Sequence, residues 1–180
     1  MNSHDIVLRH ARFAGEIRRY HTWPVLRQQT NGEHTWQCLR IYLEIWKRIP
    51  ALTAKYLVYH DVGEQVLGDL PYPAKAHNPA LKKEADKVEA RGLAAMGVEL
   101  PKLEKRERLR CKACDYLEMF EFGVLELQMG NKYAAPIING MDRSLRELCE
   151  GMEKDDALRV SVYFEKMKRA FTEPVQLCAF

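Results

Sequence analysis

His60 and Asp61 stand side by side after an apolar stretch, and Glu64 follows one helical turn later. An imidazole and a carboxylate placed in this way can both bind one cation, and a glutamate one turn away can handle a proton of the water that the cation activates. We therefore predict a hydrolytic metal site at this segment. A histidine-aspartate pair also arises by chance on many protein surfaces, so the prediction depends on further ligands.

Two other residues can complete the set of ligands. His34 opens an apolar helix upstream, and Asp115 interrupts the apolar stripe of a later helix. An uncompensated carboxylate in such a stripe is costly, so Asp115 needs a positive partner, and a metal would be one. Taken singly, these residues also suit a helix start, a polar helix end and a helix edge. Together, two imidazoles and two carboxylates favour Zn²⁺, Co²⁺ or Mn²⁺ over Mg²⁺.

The length and composition indicate a helical protein that can bury a sizeable core. The chain has 180 residues, of which 47% are hydrophobic and 29% charged, with only 10 glycines and 8 prolines. These values are typical of a soluble helical domain rather than a disordered or fibrous chain. We therefore predict an all-α fold in which residues 1–180 form a single domain.

Helical periodicity and breaker residues divide the chain into helices joined by short connections. We expect an ordered loop around Pro24 at residues 18–27, a turn at Asn31-Gly32, and a second ordered loop at residues 68–75, where Pro71 and Pro73 exclude a regular helix. No alternating pattern predicts a sheet. The predicted helices are residues 3 to about 15–18, 33–47, a short helix from about 53 that carries His60 and Asp61, then 79–97, 103–127, 135–150 and 155–171.

Charge, hydropathy and cysteine usage exclude several classes of protein. The net charge of +3 does not indicate a general nucleic-acid binder. No stretch reaches the roughly 20 apolar residues of a membrane helix, and charged residues near the N-terminus do not suit a signal peptide. We therefore expect a cytoplasmic protein. The five cysteines are expected to be reduced thiols, and Cys111 and Cys114 fit a helix interior better than a redox pair or half of a zinc site.

These residues carry a resemblance to a known family. The order of His34, the adjacent His60 and Asp61, and Asp115 is similar to the H…HD…D signature of the HD-domain metal-dependent phosphohydrolases, which are all-helical bundles. Residues 19–20, 33–34, 60–64 and 68–75 resemble the bacterial HD-domain 5'-deoxynucleotidases. Residues 19–30 (RYHTWPVLRQQT) look like a segment of the dATP triphosphohydrolases from phages that replace adenine with 2-aminoadenine. The resemblance covers about residues 15–120.

The resemblance implies a role for each matching side chain. It implies that His34, His60, Asp61 and Asp115 are the metal ligands, with Glu64 as the acid/base glutamate and Asp69 beside the catalytic site. Arg19 and Lys75 match side chains that hold the phosphates, and Pro73 falls where relatives line the base pocket. Tyr20 departs from the tryptophan common in relatives, and either Tyr20 or Trp23 would stack on the base.

The activity implied is hydrolysis of a deoxynucleoside triphosphate, above all dATP, to deoxyadenosine and triphosphate, which would deplete dATP. A 5'-deoxynucleotidase that releases deoxynucleoside and phosphate from a monophosphate is the alternative. A nucleotide sensor that does no chemistry has no need of Glu64. A stacking slot favours a purine, whereas the 2'-deoxy sugar and the preference for adenine over guanine rest on the resemblance alone.

Further expectations concern partners and surroundings. The substrate phosphates can bring Mg²⁺ in addition to the transition metal, and the only other partner expected is a second copy of the chain. Trp23, Trp36 and Trp46, together with the apolar residues of the last helices, exceed what one small core accommodates, and the related enzymes are homo-oligomers. We therefore expect a dimer or a hexamer, in the host cytoplasm if the protein is phage-encoded, without a nucleic-acid or membrane partner.

Overall fold

Helices make up most of the protein, as the sequence predicts. The computed structural model describes residues 3–172, apart from the side chains of residues 3–8, 72, 73, 76 and 172. Its helices are α1 (Ser3–Ala14), α2 (Asn31–Trp46), α3 (Ala51–Tyr59), α4 (Tyr72–His77), α5 (Pro79–Ala95), α6 (Lys105–Gln128), α7 (Ala135–Glu150) and α8 (Lys154–Thr172). Two 3₁₀ turns lie at Val62–Gln65 and Lys132–Ala134. The all-α prediction is confirmed.

One short strand pair departs from the prediction of no sheet. Strand β1 (Arg18–Arg19) pairs antiparallel with β2 (Gln29–Thr30), so the segment predicted as a loop begins with a strand. The pair closes the intervening residues into a long hairpin that ends where α2 begins. Two residues per strand are too few to produce a visible alternation of apolar and polar side chains, which explains why the pattern gave no sign of them.

Helix α2 begins two residues earlier than predicted, at Asn31. The prediction of a turn at Asn31-Gly32 is therefore wrong. Thr30 and Glu33 form a capping box: the Thr30 amide donates to Glu33 Oε2 at 2.8 Å, and the Glu33 amide donates to Thr30 Oγ1 at 3.3 Å. The amide of Gly32 donates to the Gly15 carbonyl at 3.0 Å. A Cβ atom on Gly32 would lie 3.2 Å from that carbonyl oxygen, so the glycine permits this close approach.

The second predicted loop contains helix α4, which the two prolines do not prevent. Pro71 is the residue before the helix, and Pro73 lies in its first turn. Amide groups in a first turn have no partner within the helix, so a proline there removes no hydrogen bond. The Pro71 carbonyl accepts from the amides of Ala74 at 2.9 Å and Lys75 at 3.2 Å. The consequence is that Lys75 lies on a helix.

The described residues cluster into two compact units, and the chain passes from one to the other within α2. The first unit comprises residues up to 39 and residues 50–102. Its core contains Ala14 of α1, Val62 of the first 3₁₀ turn and Leu93 of α5, together with Met96 and Val98. This packing fixes the 3₁₀ turn between α1 and α5. That residues 1–180 form a single domain stays a prediction.

The second unit comprises residues 40–49 and those from 103 onward. Phe120 of α6 and Phe164 of α8 meet edge to face with ring centroids 4.7 Å apart. The carboxylate of Asp156, 1% exposed, accepts hydrogen bonds from Trp46 Nε1 at 2.9 Å, Arg106 Nε at 2.7 Å and Arg110 Nη2 at 2.8 Å. Burial alone would raise the pKa of Asp156, but these bonds outweigh it and hold the pKa well below its ordinary range.

No helix among the described residues is long and apolar enough to cross a membrane.

Candidate active site

The predicted histidine-aspartate pair lies at the end of α3. His60 is the residue that follows the helix, and Asp61 precedes the 3₁₀ turn Val62–Gln65. His34 projects from the first turn of α2 and is fully buried. His34, His60 and Asp61 each place one possible ligand atom within 4.8 Å of the other two. Among the described residues, these three could therefore hold a metal ion. Three of the four predicted ligands are therefore brought together.

His60 is held in the orientation that a metal ligand needs. Its Nδ1 lies 2.8 Å from the Leu57 carbonyl oxygen, which can only accept, so Nδ1 carries the proton and donates. The other ring nitrogen, Nε2, therefore offers a lone pair and lies 3.2 Å from Asp61 Oδ1. Tyr56 stacks on the ring with an interplanar angle of 18°. A backbone carbonyl that fixes the tautomer in this way is a common partner of metal-bound histidines.

The three donors fit a divalent transition metal. His34 Nε2 lies 3.8 Å from Asp61 Oδ2, and its ring centroid lies 5.9 Å from that of His60. Ligands that bind one cation at about 2.1 Å stand roughly 3.0 to 3.4 Å from one another. The distance of 3.2 Å between His60 Nε2 and Asp61 Oδ1 falls in this range, and the distance from His34 Nε2 to Asp61 Oδ2 lies a little above it. Two imidazoles and a carboxylate suit Zn²⁺, Co²⁺ or Mn²⁺ better than Mg²⁺. Cys38 Sγ also lies 3.6 Å from His34 Nε2.

Asp115, the fourth predicted ligand, lies on α6 in the second unit. Its carboxylate forms an ion pair with Lys112, three residues earlier on the same helix. The Lys112 ammonium also lies 4.5 Å from the centre of the Tyr116 ring. Lys112 is thus a positive partner of Asp115, a role for which the sequence suggests a metal ion. The role of Asp115 as a ligand stays a prediction.

Glu64 is a buried carboxylate in the 3₁₀ turn that follows the histidine-aspartate pair. It is 5% exposed, accepts a hydrogen bond from Asn31 Nδ2 at 2.9 Å through Oε2, and has Oε1 3.6 Å from Lys75 Nζ. Burial raises the pKa of Glu64 to about 7, with Asp61 and Asp69 adding to the shift and Arg19 and Asn31 opposing it. A carboxyl group with such a pKa can both take up and release a proton near neutral pH.

Arg19, on β1, connects the candidate metal ligand Asp61 to Glu64 through Asn31. Its Nη1 donates to Asp61 Oδ2 at 3.0 Å and to Asn31 Oδ1 at 3.3 Å, and the residue is only 7% exposed. Burial alone would lower the pKa of Arg19, but Asp61, followed by Asp69, raises it well above its ordinary value. The guanidinium is therefore a permanent positive charge beside the candidate metal site. Its predicted contact with substrate phosphates stays a prediction.

The remaining predicted site residues also belong to the first unit. Asp69 lies near enough to Arg19 and Glu64 to raise the pKa of both. The Trp23 amide donates to the Tyr20 carbonyl at 2.9 Å, which brings the two aromatic residues into one turn. Tyr20 has a φ of 55°, in the left-handed region that non-glycine residues seldom adopt. The side chain of Pro73 lies outside the described residues, and the base-binding roles stay predictions.

Asn31 is the site residue that sequence reasoning missed. The dipeptide Asn31-Gly32 by itself favours a turn. A signal for its true position was present, since Thr30 and Glu33 have the spacing of a capping box and therefore place Asn31 at the start of a helix. Its contacts with Arg19 and Glu64 depend on the tertiary fold and have no sequence signature.

Comparison with known proteins connects this geometry to a family. The family model described as 5'-deoxynucleotidase YfbR-like matches residues 46–157. The solved structure of the cyanophage S-2L HD phosphohydrolase DatZ, bound to dA and one catalytic Zn²⁺ ion, matches with a TM-score of 0.66 at 20% identity over 89% of this chain and 96% of that chain. A conserved hypothetical protein from Pyrococcus furiosus matches with a TM-score of 0.63 at 20% identity over 92% and 98%. No curated protein matches the sequence.

The family match and the structural matches carry different information. At 20% identity the two solved structures show the fold alone. The family model matches more than half of the 180 residues, and its range contains His60, Asp61 and Glu64. It starts after Arg19 and His34 and continues beyond residue 120, where the motif resemblance ended. The chain is thus a hydrolase of the HD phosphohydrolase kind, and it belongs to the YfbR-like 5'-deoxynucleotidase family.

Proposed function

We propose that this protein hydrolyses deoxynucleoside triphosphates, with dATP as the preferred substrate, and releases deoxyadenosine and triphosphate. In the cell this reaction would deplete dATP. The observation that carries the proposal is the buried carboxylate of Glu64, linked through Asn31 and Arg19 to the cluster of His34, His60 and Asp61. A cation site, a proton carrier and a fixed positive charge in one place are the parts that phosphoester hydrolysis requires.

His34, His60 and Asp61 would hold the cation, and Asp115 is the proposed fourth ligand. When bound, a divalent cation supplies Lewis acidity, which polarises a phosphoryl oxygen and lowers the pKa of water. We propose zinc, cobalt or manganese at this site on the chemistry of its donors, and the neighbouring phage structure contains Zn²⁺. Magnesium can accompany the substrate phosphates as a second ion.

Arg19 and Lys75 are proposed to bind the phosphates. The Nε donor of Arg19 is buried and has no hydrogen-bond partner among the residues that the structure describes, so a phosphate oxygen would satisfy a group that is otherwise costly to bury. Lys75 is 25% exposed, and its ammonium sits 3.6 Å from Glu64 Oε1. Arg19 would act as a planar donor and Lys75 as a point charge on the same phosphate chain.

Glu64 is proposed to carry the proton. It takes a proton from the attacking water as the new oxygen bond forms at the α-phosphorus. The bond between the α-phosphorus and O5' breaks, and Glu64 returns the proton to O5', so that the nucleoside leaves as a neutral alcohol. Burial raises the pKa of Glu64, which makes this carboxylate a stronger base for the first half of the transfer. Asp69 lies beside the same carboxylate and is the next candidate if Glu64 does not perform this role.

The base and sugar preferences have separate support. The turn that joins Tyr20 to Trp23 places two aromatic rings next to Arg19 in the chain, and stacking on one of them is worth roughly 1 kcal/mol or more to a purine. The neighbouring phage enzyme binds dA, which supports adenine and a 2'-deoxy sugar. A 2'-hydroxyl without a partner costs about 1 to 3 kcal/mol, which would reduce the rate with ATP roughly 10-fold to 100-fold.

A 5'-deoxynucleotidase that acts on monophosphates is the second candidate. The description of the matching family favours it, since that description names a 5'-deoxynucleotidase. The proton transfer at Glu64 would be the same, and the products would be deoxynucleoside and phosphate. The two candidates differ in how many phosphates the positive charges near the site accommodate.

The test is a competition among dATP, dGTP, ATP and dAMP at equal concentration with Zn²⁺, Co²⁺ or Mn²⁺ added, with products separated by chromatography. Rapid release of deoxyadenosine and intact triphosphate from dATP is expected. Faster hydrolysis of dAMP, with dATP acting only as an inhibitor, would assign the chain to the monophosphate reaction instead. The variant Asp61→Ala, purified in the same way, reports any contaminating phosphatase.

A further inference from the structure

The side-chain amide of Asn31 lies between Arg19 and Glu64. Asn31 is the first residue of α2, is 3% exposed, and its backbone amide donates to the Ile17 carbonyl at 2.9 Å, so its position is fixed on both sides. Its Oδ1 accepts from Arg19 Nη1 at 3.3 Å, and its Nδ2 donates to Glu64 Oε2 at 2.9 Å. Both contacts are buried, so neither exchanges readily with water.

The chemistry of the two partners fixes the orientation of this amide. A guanidinium can only donate hydrogen bonds, so the atom of Asn31 that faces Arg19 must be the oxygen. The nitrogen then faces Glu64 and donates to Oε2, and a bound donor makes Oε2 the less basic of the two carboxylate oxygens. The opposite orientation would bring two donors together at Arg19, which is costly in a buried site.

The two oxygens of Glu64 are consequently not equivalent. Oε2 is held by the Asn31 amide, whereas Oε1 faces Lys75 Nζ at 3.6 Å, too far for a hydrogen bond. The same Arg19 nitrogen that contacts Asn31 also contacts Asp61 Oδ2 at 3.0 Å. One guanidinium nitrogen therefore fixes both a candidate metal ligand and, through Asn31, the proton carrier.

We propose that Asn31 is a positioning residue that holds Oε2 of Glu64, so that Oε1 is the oxygen that takes up and returns the proton. The inference rests on the proposed function, because it concerns the same hydrolytic site. Rotation of the carboxylate away from this position would break the bond to Asn31, so the bond favours one position of the proton acceptor relative to the candidate metal ligands. Without the amide bond, Glu64 would lose this fixed orientation while its charge and burial remain.

The kinetic test is a double-mutant cycle of Asn31→Ala and Glu64→Gln, measured with dATP and with dAMP at matched metal content. Loss of a residue that orients a catalytic group costs about 10-fold to 100-fold, and we expect this loss in kcat for Asn31→Ala with KM changed less than about threefold. In the Glu64→Gln background, Asn31→Ala should change kcat by less than about threefold, since there is no proton carrier left to orient. A full additional loss in that background would overturn the proposal.

Two further variants separate positioning from folding. Asn131 in the second unit donates to Glu126 Oε2 at 2.7 Å and is 6% exposed, so Asn131→Ala removes the same kind of buried bond elsewhere. It should lower thermal stability by a similar amount and leave kcat within about twofold. If Asn31→Ala does not fold, Asn31→Ser, which suits a helix start but is too short to reach Glu64, takes its place in the cycle. A kcat equal to that of wild type in either Asn31 variant would contradict the proposal.

A measurement that does not depend on activity keeps the two proposals apart. In ¹⁵N-labelled protein, the side-chain amide signal of Asn31 should move when Glu64→Gln replaces the carboxylate with an amide, because the acceptor of its hydrogen bond changes. An unchanged signal would refute the positioning role even if dATP is hydrolysed. A changed signal in a protein that hydrolyses neither dATP nor dAMP would refute the proposed function and retain the contact.

Discussion

A Cβ atom placed on Gly63 would lie 3.0 Å from both the Cβ and the carbonyl oxygen of Glu89 on α5. Gly63 directly precedes Glu64 in the 3₁₀ turn, so the absence of a side chain permits the close packing that places Glu64, the proposed proton carrier. Backbone atoms of a helix cannot rotate away from a new methyl group. The glycine between the histidine-aspartate pair and Glu64 is thus required by the packing of α5 against the turn.

Gly63→Ala should therefore displace the turn and damage activity together with stability. We expect a loss of about 1 to 3 kcal/mol in the free energy of unfolding, from overpacking, and a fall in kcat on the order of 10²-fold, from misplacement of Glu64. Thermal unfolding and steady-state kinetics measure both. Gly140→Ala is the matched control, because no atom of the described part of the chain lies within 4 Å of its Cβ position on α7. This variant should leave kcat unchanged and stabilise the helix by up to about 1 kcal/mol. Normal kcat in Gly63→Ala would show that the turn tolerates the methyl group.

Metal content should depend on His60 and Asp61. Removing either ligand leaves too few donors, so His60→Ala and Asp61→Ala are expected to lose both bound metal and activity, as measured by elemental analysis of the purified proteins. In wild type, zinc, cobalt or manganese should bind more tightly than magnesium. A full complement of bound metal together with full turnover in Asp61→Ala would contradict the proposed metal site. The same analysis of Asp115→Ala tests whether this carboxylate, which pairs with Lys112, also contributes to metal binding.

Glu64→Gln should separate chemistry from binding. The amide keeps the size of the side chain and can still contact Asn31, but it cannot take up a proton. We expect the fold, the metal content and KM to be preserved while kcat falls roughly 10²-fold to 10⁴-fold, the usual contribution of one acid/base group. Steady-state kinetics with the preferred nucleotide measures the change. If kcat is unaffected, the role passes to Asp69, and Asp69→Asn becomes the variant to measure.

The stability of the metal-free protein should fall as the pH rises through the titration range of Glu64. Burial raises its pKa from 4.5 to about 7, so the folded state binds a proton that the unfolded state has already released. The contribution of Glu64 to the free energy of unfolding is therefore fully present below about pH 4.5 and is lost as the pH rises to about 7. The total change in this free energy is on the order of 3 kcal/mol. Urea unfolding in EDTA at pH 5 and pH 8 should show a larger decrease for wild type than for Glu64→Gln. Equal decreases in the two proteins would contradict the raised pKa.

Homo-oligomer formation is the prediction about assembly. Trp36 on α2 is 61% exposed and Leu158 on α8 is 63% exposed, so each presents a large apolar side chain to the surroundings of a single chain. Covering such surface favours association. Light scattering at micromolar concentration should give the mass of a dimer or a hexamer. A mass near 21.0 kDa, that of one chain, would refute the prediction.

The fold class and the hydrolytic type of chemistry could be predicted from the sequence alone, and so could the candidate residues of the site. Helical periodicity is a local property, which is why α7 and α8 begin and end within one residue of their predicted positions. His60, Asp61 and Glu64 were recognisable because they lie within five consecutive positions of the chain, so their spacing alone suggests shared chemistry. The family match over residues 46–157 agrees with that interpretation.

The way in which these groups are held, and which of their atoms face one another, depends on the tertiary structure. Arg19, Asn31 and Glu64 are far apart in sequence, and only the packing of β1, α2 and the 3₁₀ turn brings a guanidinium, an amide and a carboxylate into one buried chain of hydrogen bonds. The raised pKa of Glu64 follows mainly from that burial, with the charges of Asp61 and Asp69 adding to it. Periodicity and spacing indicate which residues of one element share a face. Desolvation and hydrogen-bond direction depend on contacts between segments that are distant in the sequence, and local patterns do not reveal those contacts.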